Sequence, residues 1–303
     1  MLKGVAASLA GALLWGFSGA CAQVVLADYG ASPLFVTAVR SAIAAVALLA
    51  LCSWRHRREL LEIAACRELR GRLVLFGIGL FLSQSTFAAS VASTNAGTAT
   101  VLQSLATVLV MAVTCIAGRR LPGLFEGAGL LCALASTWLI ATQGNPGELA
   151  LAPAGLIWGL VNASSVALYI MTPGKLYDRW PSIPVITCGL CVAAVVAVVA
   201  FGCACAVSGE VSAPAFDAYG LVVLVLGIGL FGTACAFGLY LYGVAIVGSV
   251  RGSLLGTAEP ASAMVLTALW LGTSFSPADW AGLVLMVGMV FLVALSAAHK
   301  GRG

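Results

Sequence analysis

The sequence predicts an all-α polytopic membrane protein, with ten transmembrane helices forming two inverted five-helix repeats around a central cavity. Three observations carry the prediction. Of 303 residues 61% are hydrophobic and 9% charged, with a mean hydropathy of +1.08, more apolar surface than a water-soluble domain of this length buries. Apolar runs of spanning length fill nearly the whole chain, a hydrocarbon core about 30 Å thick needing roughly 20 apolar residues per helix. The string Gly77-Ile78-Gly79-Leu80-Phe81 also returns as Gly227-Ile228-Gly229-Leu230-Phe231, each copy inside such a run.

Charges and turn signals divide the chain. Spans 1 to 5 fall near residues 4–27, 33–53, 73–92, 97–117 and 123–142, and spans 6 to 10 near 152–172, 183–207, 218–244, 250–271 and 278–297. The two repeats are therefore 1–142 and 151–303, joined by a connecting loop at 143–150 whose Gly144-Asn145-Pro146-Gly147 is turn-rich. At the offset of 150 set by the glycine string, Phe87 falls on Phe237; at 153, Ala128-Gly129-Leu130 falls on Ala281-Gly282-Leu283. Two copies of an odd-numbered unit cross the bilayer in opposite senses, a recurring architecture of solute carriers.

Arg55, Arg57, Arg58, Arg67, Arg70 and Arg72 follow span 2, Arg119 and Arg120 span 4, Lys175 and Arg179 span 6, Arg251 span 8, and Lys300 and Arg302 span 10. The opposite loops carry Asp28, Glu148, Glu210, Asp217 and Asp279 and no basic residue. Because short cytoplasmic loops hold the excess of Lys and Arg, both termini are expected in the cytoplasm. The basic balance then reports orientation, and no nucleic-acid partner is expected.

Several soluble-protein readings fail on context. Most of the ten cysteines lie in apolar runs and read as small packing residues, including the Cys188/Cys191 pair. His56 and His299 sit outside the spans, so no metal and no cofactor is expected. A cleaved leader is disfavoured because Trp15-Gly16 has a counterpart mid-chain in Trp158-Gly159. Gly227 to Gly232 matches GxGxxG, and Asn162-Ala163-Ser164 a glycosylation acceptor, but both lie within apolar runs. The chain has no GxxxxGK[ST] loop, so it is not expected to use ATP directly.

The chain resembles the drug/metabolite transporter superfamily in its ten-helix EamA-type branch, over essentially the whole length. The Trp-Gly pairs of spans 1 and 6 carry the likeness, with Arg40 after Pro33 in span 2 and the segments Gly97 to Thr107 and Ser249 to Pro260 in spans 4 and 9. It departs where Ala106-Thr107 replaces a usual Pro and where Gly118-Arg119-Arg120 replaces a Gly-Glu-Arg turn. The resemblance implies a cavity lined mainly by spans 1, 3, 4, 6, 8 and 9, and transport of small organic metabolites.

Ionisable groups deep in a membrane cost about 2.5 to 3.5 kcal/mol on insertion scales and persist when paired, hydrated or useful. Glu259 lies roughly nine residues into span 9, about 13 Å deep and near the midplane. It reads either as a proton-coupling carboxylate or ammonium ligand, or as a group satisfying backbone freed by Pro260. Arg40 reads as a carboxylate ligand or as a snorkelling or capping group. Trp15, Gln84, Gln103, Trp158, Asn162 and Tyr240 complete the candidate pathway, as hydrogen-bonding and stacking groups suited to a zwitterion or as interhelical ties. The Gly248, Gly252, Gly256 stripe reads as close helix packing.

The expected function is that of a secondary transporter, an exporter of small polar or amphipathic metabolites with amino acids as first candidates, working by alternating access in the plasma (inner) membrane. Its partners are the lipid bilayer, a small-molecule substrate and, for coupling, protons; oligomeric state stays open. The alternatives are a multidrug or nucleotide-sugar carrier, an intramembrane enzyme, for which the spans lack the Asp, His or metal-ligand cluster, and a non-transporting scaffold.

Overall fold

The computed structural model describes residues 1–208 and 214–300; Glu210 and Arg302 of the charge pattern lie outside them. Among the described residues all regular structure is helical, and ten helices are long and apolar enough to cross a membrane. Span 1 is Leu2–Ala27, span 2 Pro33–Arg55, span 3 Arg70–Ser93, span 5 Leu124–Thr142, span 7 Ser182–Ser208 and span 10 Pro277–Lys300. Span 6 is Pro153–Met171, extended by the short helix Gly174–Tyr177.

Local chemistry sets the ends. Ser32 accepts a hydrogen bond from Phe35 N ahead of Pro33, whose fixed φ and missing N–H suit a first helical position. Asn95 accepts from Thr98 N at 2.8 Å to start span 4, and Asp217 from Gly220 N at 2.8 Å to start span 8. Gly272 closes span 9 at φ +65°, a left-handed conformation that costs glycine little.

Three spans depart from a simple rod. Span 4 is broken between Ala96–Gln103 and Ala106–Ala117, and span 9 between Ser249–Gly256 and Ala258–Leu271. Span 8 runs Ala218–Val222, then thirteen residues of π-helix over Val223–Cys235, then Ala236–Val247. The arginine-rich stretch after span 2, expected to be a loop, instead contains a helix over Arg57–Ala65, with Leu60 and Ile63 on its buried side.

Packing exchanges the two halves. Span 1 packs on spans 8 and 9 as span 6 packs on spans 3 and 4, and span 3 meets span 7 as span 8 meets span 2. Spans 2 and 7, 4 and 9, and 5 and 10 pair directly.

Glycines make the closest of these contacts. A Cβ on Gly16 would stand 2.7 Å from the Glu259 carbonyl oxygen, and one on Gly159 would stand 2.9 Å from Leu102 Cβ. The Trp-Gly pairs thus let span 1 onto span 9 and span 6 onto span 4. The glycine string repeats in sequence but not in packing register. Gly77 faces Val192 of span 7, whereas Gly227 faces Cys21 of span 1, and Gly229 is the one that meets span 2, at Ile43.

Candidate functional site

Both helix breaks come from backbone bonds tightened by hydroxyls. In span 4 Ser104 N and Leu105 N turn back to Val101 O and Leu102 O, while Thr100 and Ser104 side chains donate to carbonyls one turn earlier. In span 9 Thr257 donates to Leu254 O through both its N–H and its hydroxyl, ahead of Glu259-Pro260. The breaks sit side by side. Gln103 Nε2, at one, donates to Glu259 Oε1, at the other, at 3.0 Å.

That bond lies in the wall of a cavity with two chambers. The deeper chamber, about 80 Å3, is lined by Ser18, Arg40, Ser83, Gln84 and Phe87. The larger, about 480 Å3, extends past Thr107, Ile170, Tyr240 and Val244 to Tyr177 and Ile186, near the bundle face that carries the N-terminus. Trp15, Gln103, Val166, Tyr169, Phe237 and Glu259 line both, so the chambers are continuous.

Arg40 is buried, 7% exposed. Its Nε and Nη2 donate to Thr233 Oγ1 at 3.2 and 3.1 Å, and that hydroxyl donates to Ile228 O five residues back in the π-helix. The wide turn therefore presents an acceptor that holds the guanidinium without neutralising it. Among the described residues Arg40 forms no ion pair, and Glu259 shares its chamber without touching it. Ser18 Oγ, in the same wall, is buried without a hydrogen-bond partner.

Aromatic rings form the other wall. Trp15 meets Phe237 edge-on with centroids 5.1 Å apart and Tyr240 at 4.8 Å, and the Tyr240 hydroxyl donates to Gly252 O.

Of the eight candidates, six reach the cavity: Trp15, Arg40, Gln84, Gln103, Tyr240 and Glu259. Trp158 does not, being 41% exposed on the outside of the bundle. Its partner Gly159 faces inward to Leu102, as Gly16 faces inward to span 9, so the two Trp-Gly pairs share the glycine contact and differ in where the Trp turns. Asn162 is fully buried and ties span 6 to span 3, its Nδ2 donating to Ser83 O at 2.6 Å and Thr86 Oγ1 at 3.1 Å. Tyr169 and Phe237 line both chambers and were not among the candidates. The signal for Tyr169 was its place on one helical face with Asn162 and Ser165.

The opposite face is closed. Gln23 Oε1 accepts from Ala96 N at 2.8 Å while its Nε2 donates to Thr273 Oγ1 at 3.1 Å, so one side chain joins span 1 to span 4 and to the turn that follows span 9. Tyr29 donates to Asp217 at 2.6 Å, a bond that holds the Asp217 carboxyl below its usual range and pushes the Tyr29 phenol up to about 12. Gln143 donates to Asp279 at 2.8 Å beside Ser276.

Ten spans around a cavity that extends toward one face and holds polar side chains at its inner end are the architecture of a membrane transporter. The profile of the EamA-like transporter family matches residues 2–142 and again 153–295. The chain belongs to that family. It is 32% identical to a Salmonella typhimurium protein described as the uncharacterized inner membrane transporter YicL, across 99% of this chain and 98% of that one. A solved crystal structure at 19% identity superposes with a TM-score of 0.62, covering 97% of this chain and 98% of its own, and shows the same fold.

Proposed function

We propose that the protein is a secondary transporter exporting small zwitterionic metabolites, amino acids first, across a bacterial inner membrane, with its termini in the cytoplasm and its two halves working as inverted repeats. One observation carries the substrate reading: a buried guanidinium and a carboxylate line one cavity without pairing with each other. Burying two opposite charges apart is costly unless something bridges them. A molecule with a carboxylate at Arg40 and an ammonium at Glu259 does so.

Alternating access is supported by the exchange of contacts between halves and by the hydrogen bonds that close the face opposite the cavity's mouth. The basic loops fall on the face toward which the cavity extends, which supports cytoplasmic termini and an inward-facing state. The relative's description as an inner membrane transporter supports the location. Glu259 is the residue we assign to proton coupling, because its hydrogen-bond donor among the described residues, Gln103, holds it in either protonation state.

Uptake and counterflow in proteoliposomes with a panel of labelled amino acids test this reading, comparing wild type with Glu259→Gln across an imposed pH gradient. Saturable flux whose response to the gradient disappears in the variant is expected. Equal response in both proteins removes Glu259 from coupling, and absence of flux for every amino acid overturns the substrate class.

A further inference from the structure

We propose that the helix Arg57–Ala65 and the arginines flanking it form a docking surface for anionic phospholipid headgroups in the leaflet on the N-terminal side. The chain leaves span 2 at Arg55 and enters span 3 at Arg70, so the helix between them is held at the level of the membrane surface. Leu60 and Ile63 are its buried side chains, and Ile63 packs in the same apolar cluster as Leu69 and Leu176. Its other side stays free. Leu61 is 63% exposed and Trp54, at the end of span 2, 86%. An indole at that depth sits where aromatic side chains meet the headgroup layer.

The charge on this surface is unbalanced in a specific way. Its carboxylates are already committed: Glu59 to His56, Glu62 to Arg58 and the Trp180 indole, and Glu68 to Arg179. Arg55, Arg57, Arg67, Arg70 and Arg72 are all exposed and form no ion pair among the described residues. Five unneutralised guanidiniums beside an apolar anchor match the chemistry of a phosphate diester on a lipid. Each guanidinium offers a two-pronged donor to phosphate oxygens, and the acyl chains continue along Leu61 and Trp54. A soluble anion would satisfy the charges but not the apolar side chains between them.

The experiment uses the full chain in mild detergent, with native mass spectrometry reading retained lipid. Phosphatidylglycerol and phosphatidylcholine of identical acyl chains are compared. Wild type is expected to retain the anionic lipid preferentially, and Arg67→Gln/Arg70→Gln/Arg72→Gln to lose about fivefold of that preference per arginine removed. The matching Lys variant, which keeps the charge that orients the chain, is expected to lose less than the Gln variant. Arg251→Gln, away from the surface, is expected to leave the preference unchanged. Retention of phosphatidylcholine by all variants at the wild-type level shows that they remain folded. Equal retention of both lipids by wild type overturns the proposal, as does an unchanged preference in the triple Gln variant. Competition by glycerol 3-phosphate at the lipid's own concentration also overturns it, since the surface would then be reading phosphate alone.

Discussion

Spans 4 and 9 occupy corresponding places in the two halves and break at corresponding points with the same tightened, hydroxyl-backed turns, yet only span 9 adds a proline. Span 9 has Pro260 three residues past its break, while span 4 has Thr107 there and breaks with the 3₁₀-like turns and back-donating hydroxyls alone. The missing proline reads in sequence as a departure from the family pattern. In the fold the bend is retained, so its position matters more than the residue producing it. Charge, by contrast, is confined to one of the pair: Glu259 follows the break in span 9 and Ala106 follows that in span 4. The breaks shape a shared floor, and only one half arms it.

The strongest way to break that comparison is through the glycines that seat the two helices. Gly16→Val drives a side chain against the Glu259 backbone. It is expected to destabilise by about 3 kcal/mol, the upper end for overpacking, read as a lower melting temperature in detergent with loss of transport. Gly159→Val meets the Leu102 side chain instead, whose Cδ1 a rotamer change moves away but whose Cβ, 2.9 Å off, yields only to a shift of the helix. A loss of about 2 kcal/mol is expected there, and equal losses would show that the two seats are equivalent.

Next in size is Gln103→Ala, which removes the one hydrogen bond joining the two breaks. With a charged acceptor the bond is worth about 1.5 to 3 kcal/mol. Substrate affinity in counterflow is expected to weaken about tenfold while Arg40-dependent binding of the carboxylate end persists. Smallest is Thr107→Pro, which gives span 4 the proline it lacks. Thr107 N donates to Ser104 O, so one bond is lost, in a first turn where proline is otherwise tolerated. A change of about 1 kcal/mol or less in stability is expected, with transport retained.

The spans were legible because lipid imposes a length and a hydropathy that sequence displays directly. Their boundaries moved by a few residues only, as in span 3, read as 73–92 and observed as Arg70–Ser93. The polar residues of the cavity were legible for a related reason: Arg40, Gln84, Gln103 and Glu259 stand out against apolar neighbours. Which way a side chain turns was not. Trp158 shares its motif with Trp15 and faces outward although the glycine beside each is seated against a neighbouring span, so the motif encodes the glycine contact and not the direction of the Trp. Asn162 has the chemistry of a ligand and serves as a strut, since nothing local separates the two uses. The surface helix at Arg57–Ala65 was hidden because its apolar side is only Leu60 and Ile63 amid charge. Tyr169 and Phe237 were hidden because an aromatic residue in a span is ordinarily just packing.

Span 8 covers 30 residues. Wound throughout as α-helix it would be about 45 Å long, against a hydrocarbon thickness of about 30 Å. Helices that overreach a bilayer commonly lean over or make the lipid thicken around them. Here part of the surplus is taken up within the helix itself, because each turn of the stretch Val223–Cys235 consumes more residues than an α turn does. The same widening explains why the two glycine strings share letters but not neighbours: residues absorbed into wide turns shift everything on one side of them around the helix axis. A copy of span 3 could thus lengthen without outgrowing the membrane, and the slack it gained is where the hydroxyl of Thr233 found room to reach Arg40.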